Sequence, residues 1–139
     1  MKALEDFNCG FIGLGSQGAP IARKIMLSGL PMTLWARRAD TLRPFRETNA
    51  SIAHSAKELA SRCNYVAVCV TGDSSVTEVC EALIRHLREG SFLLVHSTVL
   101  PSTVQSLATL ASTRQISVID APVSGGGPAA ERGALTLSL

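Results

Sequence analysis

Apolar residues in this chain come as short unbroken runs, separated by stretches in which they recur at helical spacing. The runs Phe7 to Ile12, Met32 to Trp35, Tyr65 to Val70, Phe92 to Val95 and Ile116 to Ile119 predict buried strands, and Ser51 to Ala53 predicts a short further one. Ser16 to Ser28 predicts a helix with Ile21, Ile25 and Leu27 on its buried side, Pro20 in its first turn and Gly29 as its stop. Asp40 to Thr48 predicts a short helix weakened by Pro44, and Ser55 to Ser61 another that carries Leu59. Ser75 to Leu87 predicts a longer helix, with Ser75-Val-Thr-Glu78 in capping-box spacing and Gly90 as a stop. Pro101 opens a helix that runs to Ala111. Pro122 to Gly133, rich in Gly, Pro and Ala, is expected to be a loop, and Leu135 to Leu139 a last strand.

Strands that alternate with helices, and that are apolar throughout rather than at every second position, predict an α/β fold. Its sheet is doubly wound and mainly parallel, with helices on both faces. Residues 1–139 are read as one domain. The chain stops inside the apolar segment Leu135-Thr-Leu-Ser-Leu139, so it is expected to be cut within its last strand and to be part of a longer protein.

Composition narrows the class. Hydrophobic residues at 46% and charged residues at 17% describe a globular chain and not a disordered one. A net charge of +2 and an aromatic content of 4% give no basis for binding nucleic acid. No apolar run approaches the ~18 residues of a membrane span, and no secretory signal precedes the first strand, so a cytoplasmic location is expected. Cys9, Cys63, Cys69 and Cys80 form no C-x-x-C pair and are read as free thiols in the core, with no metal site.

The chemistry concentrates in Cys9-Gly-Phe-Ile-Gly-Leu-Gly-Ser-Gln-Gly18. Gly13, Gly15 and Gly18 have the G-x-G-x-x-G spacing between a strand and a helix. In that context the first glycine allows the tight turn, the second lets the backbone approach a pyrophosphate, and the third lets the helix pack close to the strand, a Rossmann-like arrangement. Leu14, Ser16 and Gln17 complete the loop, whose free N–H groups at the helix N-terminus face the phosphates.

An NAD-selective site places Asp or Glu at the end of the second strand; here Trp35-Ala-Arg37-Arg38 stands there. Two guanidinium groups suit a ribose 2′-phosphate, so NADP(H) is favoured, with NAD(H) as the alternative. Arg37 stacked on adenine would serve either cofactor. Val70-Thr71 and Thr98 lie at the ends of later strands on the same crevice, and Thr71 and Thr98 are candidates for the nicotinamide half, or else helix caps.

These blocks resemble the β-hydroxyacid dehydrogenase family, which includes 3-hydroxyisobutyrate dehydrogenase and tartronate semialdehyde reductase. Gly10-Phe-Ile-Gly-Leu-Gly-Ser-Gln-Gly18 is similar to its N-terminal signature. Ser97-Thr98 with Pro101 is similar to a second block. Asp120-Ala-Pro-Val-Ser-Gly-Gly126, followed by Gly133-Ala-Leu-Thr136, is similar to its substrate-binding segment. The resemblance implies an NAD(P)-dependent oxidoreductase of small 3-hydroxy acids, with Ser124, Gly125 and Gly126 holding substrate and Arg37 in the family's arginine position.

It also implies a catalytic lysine in a helical C-terminal domain that these residues do not include, so that no catalytic residue falls in this chain and the chain by itself is inactive. Lys2, Lys24 and Lys57 lie in no such motif, and His96 is the best stand-in. Association of the full-length protein as a homo-oligomer is implied in the same way. Gln17, Ala36, Thr71 and Ala129 depart from the family's usual residues and leave the substrate open. An imine, glyoxylate or succinic semialdehyde reductase of the same superfamily is the second reading, and a non-catalytic nucleotide-binding module the third.

Overall fold

In a computed structural model, which describes residues 6–133 and 136–137, the apolar runs pair side by side. Strands β1 (Cys9–Ile12), β2 (Met32–Trp35), β3 (Ser51–Ile52), β4 (Tyr65–Val68), β5 (Phe92–Val95) and β6 (Ser117–Asp120) form one sheet. Its order is β3-β2-β1-β4-β5-β6, and every pairing is parallel. Parallel neighbours need crossovers, and helices supply most of them. These are α1 (Gly18–Leu27), α2 (Ala56–Arg62), α3 (Asp73–His86) and α4 (Pro101–Ser112). A 3-10 segment, Ala39–Phe45, takes the place of the helix expected over 40–48, because Pro44 interrupts the α-helical hydrogen bonding.

The continuous apolar runs are explained by two cores, one on each face of the sheet. Ile12, Val66, Val68, Leu93 and Val95 point to one face, where Leu59, Val76, Val79, Leu83 and Leu107 of α2, α3 and α4 bury them. Phe11, Leu34 and Ala67 point to the other, against Ala22 of α1 and Leu42 and Phe45 of the 3-10 segment. Arg23 of α1 lies over the Phe45 ring, 4.9 Å from its centroid. No helix among the described residues is long and apolar enough to cross a membrane.

Three further expectations are corrected. Leu27 is 80% exposed, not buried. It lies two residues, about 200° of helical rotation, beyond Ile25, so it cannot share the sheet-facing side with the half-buried Ile21 and Ile25. The capping box does not form at Ser75. Helix α3 starts two residues earlier, on Gly72, whose φ of +90° suits glycine.

The box-like exchange occurs instead at Ser55-Ala-Lys-Glu58. There the Ser55 Oγ accepts from the Glu58 N–H at 3.0 Å, and the Glu58 carboxylate accepts from the His54 N–H at 2.7 Å. The expected loop from Pro122 to Gly133 contains a strand, β7 (Val123–Ser124), and a helix, α5 (Gly126–Glu131). Of the expected final strand, Thr136–Leu137 is β8, paired antiparallel with β7; Leu135, Ser138 and Leu139 lie outside the described residues.

Helices α3 and α4 are joined near their N-termini by one carboxylate. Asp73 Oδ2 accepts from the Leu100 N–H at 2.9 Å and from the Thr103 hydroxyl at 2.7 Å. The Thr103 and Leu100 bonds hold the Asp73 carboxyl below its ordinary pKa. A depressed folded-state pKa stabilises above the unfolded value and is lost as pH falls. Asp73→Ala is therefore expected to lower Tm at pH 7, with the gap to the parent closing as pH falls below about 4. Thermal melts of both proteins across that range check it, and a gap independent of pH would refute the clamp.

Burial raises the thiol pKa of Cys63 to about 11 and of Cys80 to about 12. Both are expected to resist a thiol-specific reagent such as DTNB at pH 8 in the folded protein and to react on unfolding in guanidinium. Rapid labelling of both under native conditions would contradict this burial.

Candidate functional site

The carboxyl ends of β1 and β4 lie side by side, yet the helices that follow them cover opposite faces: α1 packs on the Phe11 face and α3 on the Val68 face. This is the point at which a doubly wound sheet opens a crevice. Two adjoining clefts occupy it, of about 220 and 270 Å³, with Gly15, Cys69, Val70 and Thr71 lining both.

Closeness of backbones builds the wall between them. Gly13 has a φ of +103°, and a Cβ on it would collide with the Cys69 carbonyl. A Cβ on Gly18 would collide with the Gly13 carbonyl oxygen. These two glycines let β1, α1 and the end of β4 meet. Gly15 is different: a Cβ there would meet no atom of the described residues within 4 Å. Its lack of a side chain serves no internal contact and leaves bare backbone facing the clefts.

The first cleft also takes in Leu14, Arg37, Arg38, Thr41 and Val79. Arg37 follows β2 and pairs with Glu78 of α3, its Nη2 3.0 Å from Oε2. Arg38 is exposed, and among the described residues its guanidinium makes no ion pair or side-chain hydrogen bond. Its carbonyl accepts from the Thr41 N–H and the Thr41 hydroxyl, which starts the 3-10 segment.

The second cleft takes in Ser16, Gln17, Gly18 and Thr98 together with His96 and Ser97. Ser97 donates its hydroxyl to the Val70 carbonyl at 2.6 Å, and His96 Nδ1 lies 2.8 Å from the Ala121 carbonyl. Both side chains are buried and join the ends of β4, β5 and β6, so His96 is a structural staple. Thr98 stays exposed beside them.

Every residue expected at the cofactor site thus lines one cleft or the other. Ser124, Gly125 and Gly126 line neither. Ser124 is in β7, Gly125 precedes α5 and Gly126 begins it. The adjoining Gly127 packs so tightly on the loop that a Cβ would come within 2.8 Å of the Ser16 carbonyl oxygen. The substrate-segment candidates are therefore held near the second cleft by α5, which packs on α1.

Residues that the sequence did not single out are Glu78 as the partner of Arg37, Asp73 and Gly127. The Ser75–Glu78 spacing pointed to Glu78 but gave it another role. A larger cavity, about 600 Å³, lies at the opposite end of the sheet near Met26, Leu30, Met32 and Ala50. It gathers none of the motif residues. No cluster of metal-ligating side chains occurs among the described residues.

Residues 8–139 match the family model described as the NAD binding domain of 6-phosphogluconate dehydrogenase. The mitochondrial 3-hydroxyisobutyrate dehydrogenase of Mus musculus is 33% identical over 130 residues, 91% of this chain and 39% of that protein. The crystal structure of a putative oxidoreductase from Mycobacterium avium is 35% identical and superposes with a TM-score of 0.87, over 94% of this chain and 47% of its own. Psf3, solved in complex with NADP+ and 2-OPP, is 28% identical with a TM-score of 0.87, over 93% and 47% of the two chains. The chain spans less than half the length of each. With its parallel six-stranded sheet and a glycine loop at the β1–β4 crevice, this chain belongs to the family of the NAD-binding domain of 6-phosphogluconate dehydrogenase, which its 3-hydroxyisobutyrate dehydrogenase-like relatives share.

Proposed function

We propose that this chain is the NADP(H)-binding part of an oxidoreductase that moves a hydride between a nicotinamide and the hydroxyl-bearing carbon of a small 3-hydroxy acid. Gly15 is the observation that carries the proposal. Its bare, exposed backbone stands between two clefts, at the entrance to the ten-residue helix α1, and among the described residues no atom lies within 4 Å of where its Cβ would stand. Peptide N–H groups and the positive end of the α1 dipole suit a pyrophosphate there.

The bound cofactor supplies the hydride; the chain supplies position. Gly13 to Gly18 cradle the phosphates, and Arg37 and Arg38 take the adenosine end. Val70, Thr71 and Thr98 flank the nicotinamide half, and Ser124 with the Gly125 and Gly126 N–H groups hold the substrate carboxylate. Lys24 and Lys57 line neither cleft, and the His96 ring is tied to the Ala121 carbonyl. The group that exchanges the hydroxyl proton is assigned to a part of the protein outside these residues, as the family resemblance implies. The relatives' names support the substrate class, the NADP+ complex of Psf3 supports the cofactor, and the missing carboxylate at the end of β2 supports NADP(H) over NAD(H).

Gly15→Ala and Gly18→Ala separate cofactor binding from folding. Gly15→Ala is expected to keep the parent Tm within about 2 °C and to weaken NADPH binding at least about tenfold, since the new methyl enters only the ligand's space. Gly18→Ala is expected to lose both, because its methyl meets the Gly13 carbonyl. Thermal melts with calorimetric titration of NADPH check the pair. Unchanged NADPH affinity in a well-folded Gly15→Ala protein would remove the proposal's main support.

A further inference from the structure

We infer that Glu78 restores, from helix α3, the carboxylate that is missing at the end of β2, and that it thereby limits how strongly the adenosine cleft prefers a ribose 2′-phosphate. This rests on the cofactor-binding proposal above and adds a specificity-determining residue to it.

Three observations converge on Glu78. First, it is not needed where the sequence put it: α3 is capped at Gly72, and the Glu78 side chain takes no part in that turn. Second, it stands beside the cleft, whose lining does not include it, and pairs with an arginine that does line it. Arg37 comes from the chain after β2 and Val79 from α3, and both line the same cavity; the Glu78 carboxylate, next to Val79, meets the Arg37 guanidinium at 3.0 Å. Third, the pair adds little to the fold. The Arg37 and Glu78 side chains are 48% and 73% exposed, and ion pairs so placed barely stabilise a protein. Its consequence lies in the charge that it places at the cleft mouth.

The two arginines are therefore not equivalent. Arg37 has a carboxylate beside it in Glu78, whereas Arg38 has no acidic partner among the described residues. A 2′-phosphate that enters beside Arg37 must share that guanidinium with a carboxylate and is repelled by it. A plain ribose 2′-hydroxyl meets no such repulsion and can donate a hydrogen bond to the carboxylate. Arg38 then remains as the cation that favours the phosphate. The balance of Arg38 against Glu78 gives a site that accepts both dinucleotides, with a modest lead for the phosphorylated one.

The test uses the adenosine-end probes 2′,5′-ADP and 5′-ADP, titrated by calorimetry into the intact protein and its Glu78→Gln variant at low salt. Glu78→Gln keeps the side chain's size and removes its charge. It is expected to tighten 2′,5′-ADP about three- to tenfold while 5′-ADP changes less than about twofold, as repulsion between a carboxylate and a nearby phosphate dianion predicts. The gain is expected to shrink as ionic strength rises. Arg38→Ala in the same titrations is expected to lose 2′,5′-ADP selectively.

Equal shifts for both probes, or none in a variant whose melt matches the parent, would overturn the role of Glu78 and leave the cofactor site standing. Failure of the unmodified protein to bind either probe would overturn both. If Glu78→Gln melts early, Glu78→Asp, which keeps the charge on a shorter arm, is expected to preserve the parent's ratio of affinities; a ratio that shifts as far as in Glu78→Gln would count against the charge as the cause.

Discussion

The site depends on three backbones that meet where side chains would forbid it. The turn after β1 lies against the Cys69 carbonyl at Gly13, and α1 lies against the Gly13 carbonyl at Gly18. Each contact is backbone on backbone, so no side-chain rearrangement can relieve a methyl group placed there. The approach fixes the direction in which α1 leaves the sheet, and so the direction of its dipole. It also fixes the distance between the loop and the end of β4, where Val70 and Thr71 line both clefts. Gly127 extends the same device to α5, which it seats on Ser16.

Around that fixed point the sheet divides the work between its ends. The carboxyl ends of the strands carry the polar and charged groups, and the staples that hold them are hydrogen bonds between residues 25 to 30 positions apart. Ser97 bonds to Val70, His96 to Ala121, and Asp73 to Leu100 and Thr103. These bonds take up the buried or half-buried polar groups whose partners would otherwise be missing. Thr71, Thr98 and Arg38 are among the groups at this end that stay exposed. At the other end the lining is largely apolar, around Met26, Leu30 and Met32.

Much of this was legible in the sequence, for physical reasons that differ from place to place. The strands were readable because burial on both faces demands continuous apolar runs, as in Tyr65 to Val68 and Phe92 to Val95. The glycines were readable because only their spacing between a strand and a helix fits a loop of this kind. What failed was local detail that tertiary contact decides. Ser75 and Glu78 have the spacing of a helix cap, but so do Ser55 and Glu58, and only the second pair lies at a helix start. Leu27 is apolar and helical, yet faces outward. Residues 126–131 form a helix although glycine and proline argue against one, because α5 packs against α1, where Ala129 and Ala130 become buried. No pattern along the chain announced that Arg37 would find its partner in Glu78, far along the sequence on α3.

The strand order has a consequence for how the molecule comes into being. β1 is the first described strand to leave the ribosome and one of the two central strands of the finished sheet, with β2 on one flank and β4 on the other. A growing chain can set β2 and then β3 beside β1 while the far edge of β1, from Cys9 to Ile12, still has no partner. Tyr65 to Val68 must be synthesised before that edge closes, and during the interval it is an open template for another nascent chain. The glycine loop is exposed to the same delay, because Gly13 finds the Cys69 carbonyl only when β4 docks. Ligand binding therefore cannot guide the first half of assembly; it can only reward the second.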